Sequence, residues 1–576
     1  MRLYLVSLWL YLAFARGDDP SSVPTDGNFL RRIGPSVTVL GDYLYIEGGT
    51  ITQLVGGQED SQSTRPVNET LSMSLSQTWP NGSPPLVPIT RAAPGFLQPA
   101  LWADSEEQKF YMWGGQAVNS MPNKREFWGF TADGRGGGNW SLVQPANPDV
   151  FDGIGRGRGS SWTTCNGFGV ALGGYGWAQT DPDLNNHDRD NFLPFPGLIS
   201  YELSTGIWAN HSAKAFNGMG TCNKGSAICL SSSGTQGMGI MLPLGGQASG
   251  LVTAVGGGDI LNRLDNLTFY DIGTDTWHWQ IASGEIPPGR TASCSVVIQG
   301  SGNTSEVYLY GGVDTARSKT YSDIYVLSLP GFVWFKLSPS REFPRWGHDC
   351  AVDGKSQMLA VGGQGIYPDG QVSTHDPDPW PQGIGVFDLQ KLDWVDSYQP
   401  NSTQYQIPQV IDNWYRAGGL ERVSWSRQDT KALFIETYND TSTGNSSTSD
   451  DSASSPSTSS TQTPGVATIV GAVLGSALFF LALVAGFLIL RRRRRRRRRH
   501  PTDSPSSVSS TFNVLKVTTV RCIKKFTIFE LSAETCPCEL SSNKEPQELD
   551  STESIRHPGP RQALDEATAA HGARVP

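Results

Sequence analysis

The residues best suited to chemistry in this chain sit in two acidic segments. Residues 181–190 read DPDLNNHDRD and residues 375–380 read HDPDPW, each placing carboxylates beside a histidine. Asp181, Asp183 and Asn185 begin like a calcium loop, in which alternate side chains present oxygen ligands. The glycine needed for the sharp turn at the sixth position is missing, and Phe192 stands where a bidentate glutamate would close the site. A solvated loop is the expectation for both segments, with an irregular metal site as the alternative. The other sources of catalysis are thin. There is no G-x-S-x-G element, no H-E-x-x-H, no P-loop and no dinucleotide fingerprint. Paired carboxylates are too common in an acidic chain to discriminate anything. The reading is of a non-enzyme with no cofactor and no metal.

The elements that must position any site are announced by a repeat. Six short apolar runs end in a glycine pair: Gly48-Gly49, Gly114-Gly115, Gly173-Gly174, Gly245-Gly246, Gly311-Gly312 and Gly362-Gly363. Each is trailed by a tryptophan: Trp79, Trp140, Trp208, Trp277, Trp334 and Trp394. In three units an aromatic-acid pair precedes that tryptophan at one spacing, Tyr201-Glu202 to Trp208, Tyr270-Asp271 to Trp277 and Phe387-Asp388 to Trp394. Strand alternation followed by a turn brings the two rings side by side. The unit around Gly362 divides into four strands: HDCAVDG, QMLAVGG, GIGVFDLQ and LDWVDSY. A small sheet of this kind must stack on neighbours to bury both faces, so a repeat of such units predicts a β-propeller. The fourth unit leaves open whether Gly256-Gly257-Gly258 replaces Gly245-Gly246. Six blades are counted; a seventh would have to come from residues 403–440.

The glycine pairs, the aromatic-acid pairs and the trailing tryptophans together resemble the kelch repeat over residues 28–400. A less regular element precedes the pairs as Arg32-Ile33-Gly34, Gly157-Arg158-Gly159, Gly289-Arg290 and Arg345-Trp346-Gly347-His348. The segments VYLYGG (307–312) and IYVLSLPGF (324–332) resemble those of fungal single-pass kelch-repeat membrane proteins. The resemblance implies an all-β, kelch-type propeller that binds through the loops at its ends. Residues 175–198 and 364–382 are the candidate loops, and Trp177, Tyr367 and Trp380 the candidate ligand-binding residues for an extracellular protein or cell-wall glycan. Galactose oxidase, a secreted propeller with kelch-like blades, supplies the enzyme alternative. Its copper needs two histidines and two tyrosines, one tyrosine linked to a cysteine. The histidines before the long apolar run are His187, His211, His278, His348 and His375; His211 lies in a sequon, His278 beside a blade tryptophan, His348 in the RWGH element.

The flanking segments predict where the propeller resides. Residues 1–17 read as a secretory signal. Residues 18–440 form the extracellular part, and residues 441–464 a Ser/Thr-rich stalk. Residues 465–490 hold an apolar run long enough to span a bilayer. The arginine run 491–499 follows as a stop-transfer block, giving a type I plasma-membrane protein with a disordered cytoplasmic tail, residues 500–576. A scaffold acting through that tail is a further alternative. Gly471 and Gly475 form a small-xxx-small step that allows a homodimer. Residues 18–465 hold 26 basic and 44 acidic groups, a net of −18, which disfavours nucleic acid as a partner. Sequons stand at Asn68, Asn81, Asn139, Asn210, Asn266, Asn303, Asn401, Asn439 and Asn445, all before the apolar run. The five cysteines of that region allow at most two disulfides. Cys222 with Cys229 is the simplest pair, and Cys294 with Cys350 either bridges adjacent blades or remains as two buried thiols.

Overall fold

The computed structural model describes residues 23–442, except 61–63, 81–83, 119–120, 123, 190, 250–259, 301 and 367–370. The signal segment, the stalk, the apolar run with Gly471 and Gly475, the arginine block and the tail lie outside the described residues, as do Tyr367, Asn81 and Asn445. Only the backbone is described at Asn439. Among the described residues, no helix is long and apolar enough to cross a membrane.

Each of the six repeats folds into an antiparallel meander of four strands in chain order, with short extra strands in the connections of all but the last. The first comprises Ser36–Leu40, Tyr43–Glu47, Thr70–Ser74 and Val87–Ile89. The last comprises Trp346–Val352, Gln357–Gln364, Ile384–Asp388 and Asp393–Val395, with the four segments where the sequence pattern predicts them. The innermost strands of the four sheets between are Ala100–Asp104, Ser161–Cys165, Asn223–Leu230 and Cys294–Gln299. Each innermost strand lies against that of the next sheet, and the last lies against the first, so the sheets close into a β-propeller. Second strands such as Ser305–Tyr310 are buried along their whole length because sheets cover both of their faces. In the fourth sheet the pair Gly245-Gly246 sits inside Ile240–Ala248 and occupies the repeat position.

The glycine pairs join one sheet to the next. The second glycine donates its N–H to the backbone carbonyl that leads into the following sheet: Gly49 to Phe96, Gly115 to Gly157, Gly174 to Cys222, Gly246 to Arg290 and Gly312 to Arg345, at 2.8–3.0 Å. The first glycine lies against the same carbonyl with φ near +64° at Gly311, where a Cβ would come within 2.6 Å of the Arg345 oxygen. Two features exclude a side chain there, the left-handed backbone and the absence of space. Arginines of the less regular element close the loop from the other direction. Arg290 donates to Gly311 O at 2.9 Å and Arg345 to Gly362 O at 2.6 Å.

The aromatic pairs meet as their spacing predicts. Tyr201 stands opposite Trp208, Tyr270 opposite Trp277 and Phe387 opposite Trp394, with ring centroids 5.0–5.2 Å apart. Trp79 departs from this role. It stacks on Tyr398 at 5.6 Å and pairs with it in a two-residue ladder that ties the last repeat to the first. Residues 403–442 supply no further sheet. They form helices Gln409–Arg416 and Gln428–Ser442, and Phe434 and Trp425 pack on Phe332.

Two disulfides, Cys165–Cys229 and Cys294–Cys350, each link the innermost strands of neighbouring sheets. The second is the bridged form of the two alternatives that the sequence leaves open for Cys294 and Cys350. The first replaces the simpler Cys222–Cys229 pairing, because Cys222 precedes the strand Asn223–Leu230 and Cys229 lies near its far end, which holds the two beyond the reach of a bridge. Cys222 is a buried free thiol, and burial pushes its pKa up to about 11.

Candidate functional site: the mouth of the central channel

The innermost strands enclose a cavity of about 410 Å³ on the propeller axis. One residue from each repeat forms its rim: Gly34, Gln98, Gly159, Lys224, Ala292 and Gly347, all with φ between 51° and 66°. Their backbones are hydrogen-bonded around the axis. Gln98 N donates to Gly34 O, Gly34 N to Gly347 O, Gly347 N to Ala292 O, Ala292 N to Lys224 O and Lys224 N to Gly159 O, at 2.6–3.1 Å. The left-handed conformation turns each backbone toward its neighbour. Three of the six positions bear side chains despite the steric cost of about 1–2 kcal/mol that this conformation imposes. Lys224 and Gln98 therefore project from a rigid rim.

Above one side of the rim, Arg158 and Tyr175 are locked together by reciprocal backbone hydrogen bonds of 3.0 and 3.1 Å. The Arg158 guanidinium donates to Gln98 Oε1 through Nε at 3.1 Å and Nη2 at 2.6 Å, and to Gln116 Oε1 through Nη1. Gln116 is held in turn by donating to Gln179 at 2.9 Å. The Lys224 ammonium lies 5.5 Å from the centre of the Tyr175 ring. Burial alone would raise the Tyr175 phenol. The charges of Arg158 and Lys224, a hydrogen bond between Lys224 and the phenol, and the charge of the exposed Arg189 together outweigh burial, and its pKa falls below the usual tyrosine value.

The sequence-derived candidates fall elsewhere. Trp177 is buried, stacked 5.7 Å from Tyr175, with its indole N–H donated to Gln179 at 3.2 Å. Trp380 is buried between Trp394, at 4.7 Å, and the guanidinium of Arg345, at 3.5 Å. Both rings are committed to packing, which corrects their expected role as exposed ligand contacts. Tyr367 lies outside the described residues. Lys224 and Gln98 carried no motif; the usable signal was a side chain at a position that three of the other repeats fill with glycine.

The acidic loops are occupied by arginines. Asp181 accepts from Arg125 Nε and Nη2 at 3.0 Å each and from Arg156 N at 2.7 Å, while Asp183 accepts from Arg125 at 2.7 Å. Asp378 lies beside Arg345 and Arg31, at 3.2 and 3.9 Å. These contacts use the carboxylates that a calcium ion would need. Among the described residues, one cluster has metal-ligand density, Cys294, His348 and Cys350, but its sulfurs are joined to each other. His348 is driven down to about 3 by burial and by Arg345. His211 hydrogen-bonds to Ser200 and Asp275, His187 to the Asn191 carbonyl, and His278 to Thr276. The sequon residues Asn68, Asn139, Asn210, Asn266 and Asn401 are exposed, and Asn303 is half-buried.

No protein-family model matches the chain. It is 24% identical, over an alignment of 540 residues, to a kelch repeat-containing protein of Arthroderma benhamiae, covering 81% of this chain and 75% of that protein. It is 25% identical over 155 residues to the human kelch domain-containing protein 1, covering 24% of this chain and 35% of that protein. A third relative, the flagellar outer-arm dynein alpha chain of Chlamydomonas reinhardtii, is 28% identical over 167 residues, which span 29% of this chain and 3% of that protein. The glycine-pair repeat, the sheets it builds and relatives named for the same motif agree: this chain is similar to kelch-repeat proteins.

Proposed function

We propose that the protein is a non-catalytic binding module, a six-bladed propeller that engages a protein partner at the face bearing the channel mouth. The observation that carries this reading is the hydrogen-bonded rim, which fixes Lys224 and Gln98 in space beside Arg158. A pre-organised surface loses little conformational entropy on binding, which favours recognition. The predicted signal segment, exposed sequons and two disulfides support an extracellular location, because disulfides persist in oxidising compartments. In this reading the apolar run 465–490 tethers the propeller to the plasma membrane.

Site-specific photocrosslinking on the full chain tests the proposal. A photoreactive residue at Asn186, in the loop beside the mouth, is expected to capture a discrete partner. The same residue at Glu106, in the turn at the opposite end of an innermost strand, is not. Equal capture from both positions would refute the assignment of the face.

A further inference from the structure

Several arginines of this propeller lie beside acids, whereas the buried Arg32 and, at the mouth, Arg158 have no ion pair among the described residues. Arg345 lies beside Asp378, Arg290 beside Asp323 and Arg125 beside Asp181. Arg158 instead meets the neutral oxygens of Gln98 and Gln116, and Lys224 lies against the Tyr175 ring. Neither has a carboxylate partner among the described residues, although acids outnumber bases in residues 18–465 by 44 to 26. Two half-buried cations, Lys224 on the rim and Arg158 above it, act with the exposed Arg189 on the same Tyr175 phenol, so the mouth favours an anion. The phenol of Tyr175 and the amides of Gln98 and Gln116 supply polar groups around the same point.

We propose that Arg158, Lys224 and Tyr175 form a receptor site for a single carboxylate, supplied by an aspartate or glutamate of a protein partner. The proposal rests on the binding-module reading and names the chemistry of its ligand. The size of the charge argues for one carboxylate rather than a polyanion. The positive patch is local, and the rest of a domain carrying −18 repels nucleic acid or a uronate polymer. Charge-assisted hydrogen bonds from Arg158 and the ammonium of Lys224 would hold the carboxylate oxygens, with Tyr175 contributing its hydroxyl.

The test uses the full chain with its disulfides intact and two immobilised peptide libraries, identical except for a fixed central Glu or Gln. The Glu library is expected to retain the protein at least about tenfold better, the range of one charge-assisted hydrogen bond. Lys224→Asn removes the cation while tolerating the left-handed backbone, and Arg158→Gln removes the second. Each is expected to abolish the preference. Lys391→Met, distant and paired with Asp388, is expected to keep it. Equal retention on both libraries overturns the carboxylate site and leaves the binding module standing. Preference surviving both mouth substitutions overturns its placement. Stronger binding to polygalacturonate than to the Glu library overturns the peptide source, and retention on neither library overturns the site and the module reading together. Because Lys224 makes no side-chain hydrogen bond to a structural carboxylate, its variant remains informative if Arg158→Gln fails to fold.

Discussion

Replacing Gly311 by alanine is the most direct probe of how the repeat holds the propeller together. Gly311 has φ +64°, and a Cβ there would stand 2.6 Å from Arg345 O and 2.8 Å from His348 Cε1. Alanine in the left-handed region costs about 1–2 kcal/mol. Relieving the carbonyl contact requires a shift of roughly half an ångström or more, since ordinary Cβ contacts begin near 3.4 Å. That movement stretches the Gly312 N–H to Arg345 O bond of 2.9 Å and leaves a buried donor poorly satisfied, at about 1–3 kcal/mol. The loss of stability is expected at roughly 2–5 kcal/mol. Gly302→Ala is the control, with φ +78° and nothing within 4 Å. It carries only the conformational strain, partly offset by about 0.4–1 kcal/mol from the stiffer unfolded chain. Urea unfolding of the two variants, followed by tryptophan fluorescence and calorimetry, makes the comparison. Equal destabilisation by the two substitutions would refute the claim that the glycine pair is an inter-sheet contact.

Three further outcomes follow from the same structure. Non-reducing peptide mapping is expected to find Cys165 joined to Cys229 and Cys294 to Cys350, with Cys222 alkylated only after denaturation. Removing the second bridge by Cys294→Ser with Cys350→Ser should cost up to about 4 kcal/mol by chain entropy, given its sequence separation of 56. Glu306, raised to about 7 by burial, binds its proton more tightly in the folded than in the unfolded chain. Its ionisation therefore weakens the fold as the pH rises from about 4.5 to 7, and Glu306→Gln should gain stability over the parent across that window, by up to about 3 kcal/mol. Asp349, raised to about 6 by burial, and His348, held low, contribute equally to both proteins and cancel in the difference. Finally, peptide-N-glycosidase treatment of the natively expressed protein should remove mass from the exposed sequons at Asn68, Asn139, Asn210, Asn266 and Asn401; an unchanged mass would count against the secretory route.

Much of the scaffold was legible in the sequence because its constraints are local. A glycine pair after an apolar run marks a strand that ends against another backbone, and the aromatic-to-tryptophan spacing fixes two strands and the turn between them. The four strands of the last repeat are legible for this reason. The site was less legible. Trp177 and Trp380 stood out as loop aromatics, but a loop 20 residues long can fold its rings back onto the scaffold, and here Arg345 and Gln179 receive them. Residues 403–440 contain apolar and aromatic positions compatible with strands, yet the six sheets already close the ring through their innermost strands, and these residues form helices over Phe332.

The sequence by itself determined the repeating unit, the kelch resemblance and the bridge between Cys294 and Cys350 as one of two options. These follow from short-range patterns in which backbone geometry dictates residue type. Only the tertiary structure decided that Cys165 rather than Cys222 meets Cys229, and that Trp79 joins the last repeat to the first. The structure also decided that Gln98 and Lys224 share a rim with glycines from distant repeats. Those relations depend on where ring closure brings residues that lie tens or hundreds of positions apart. No local pattern encodes such distances, because they are set by the rotation of each sheet onto the next.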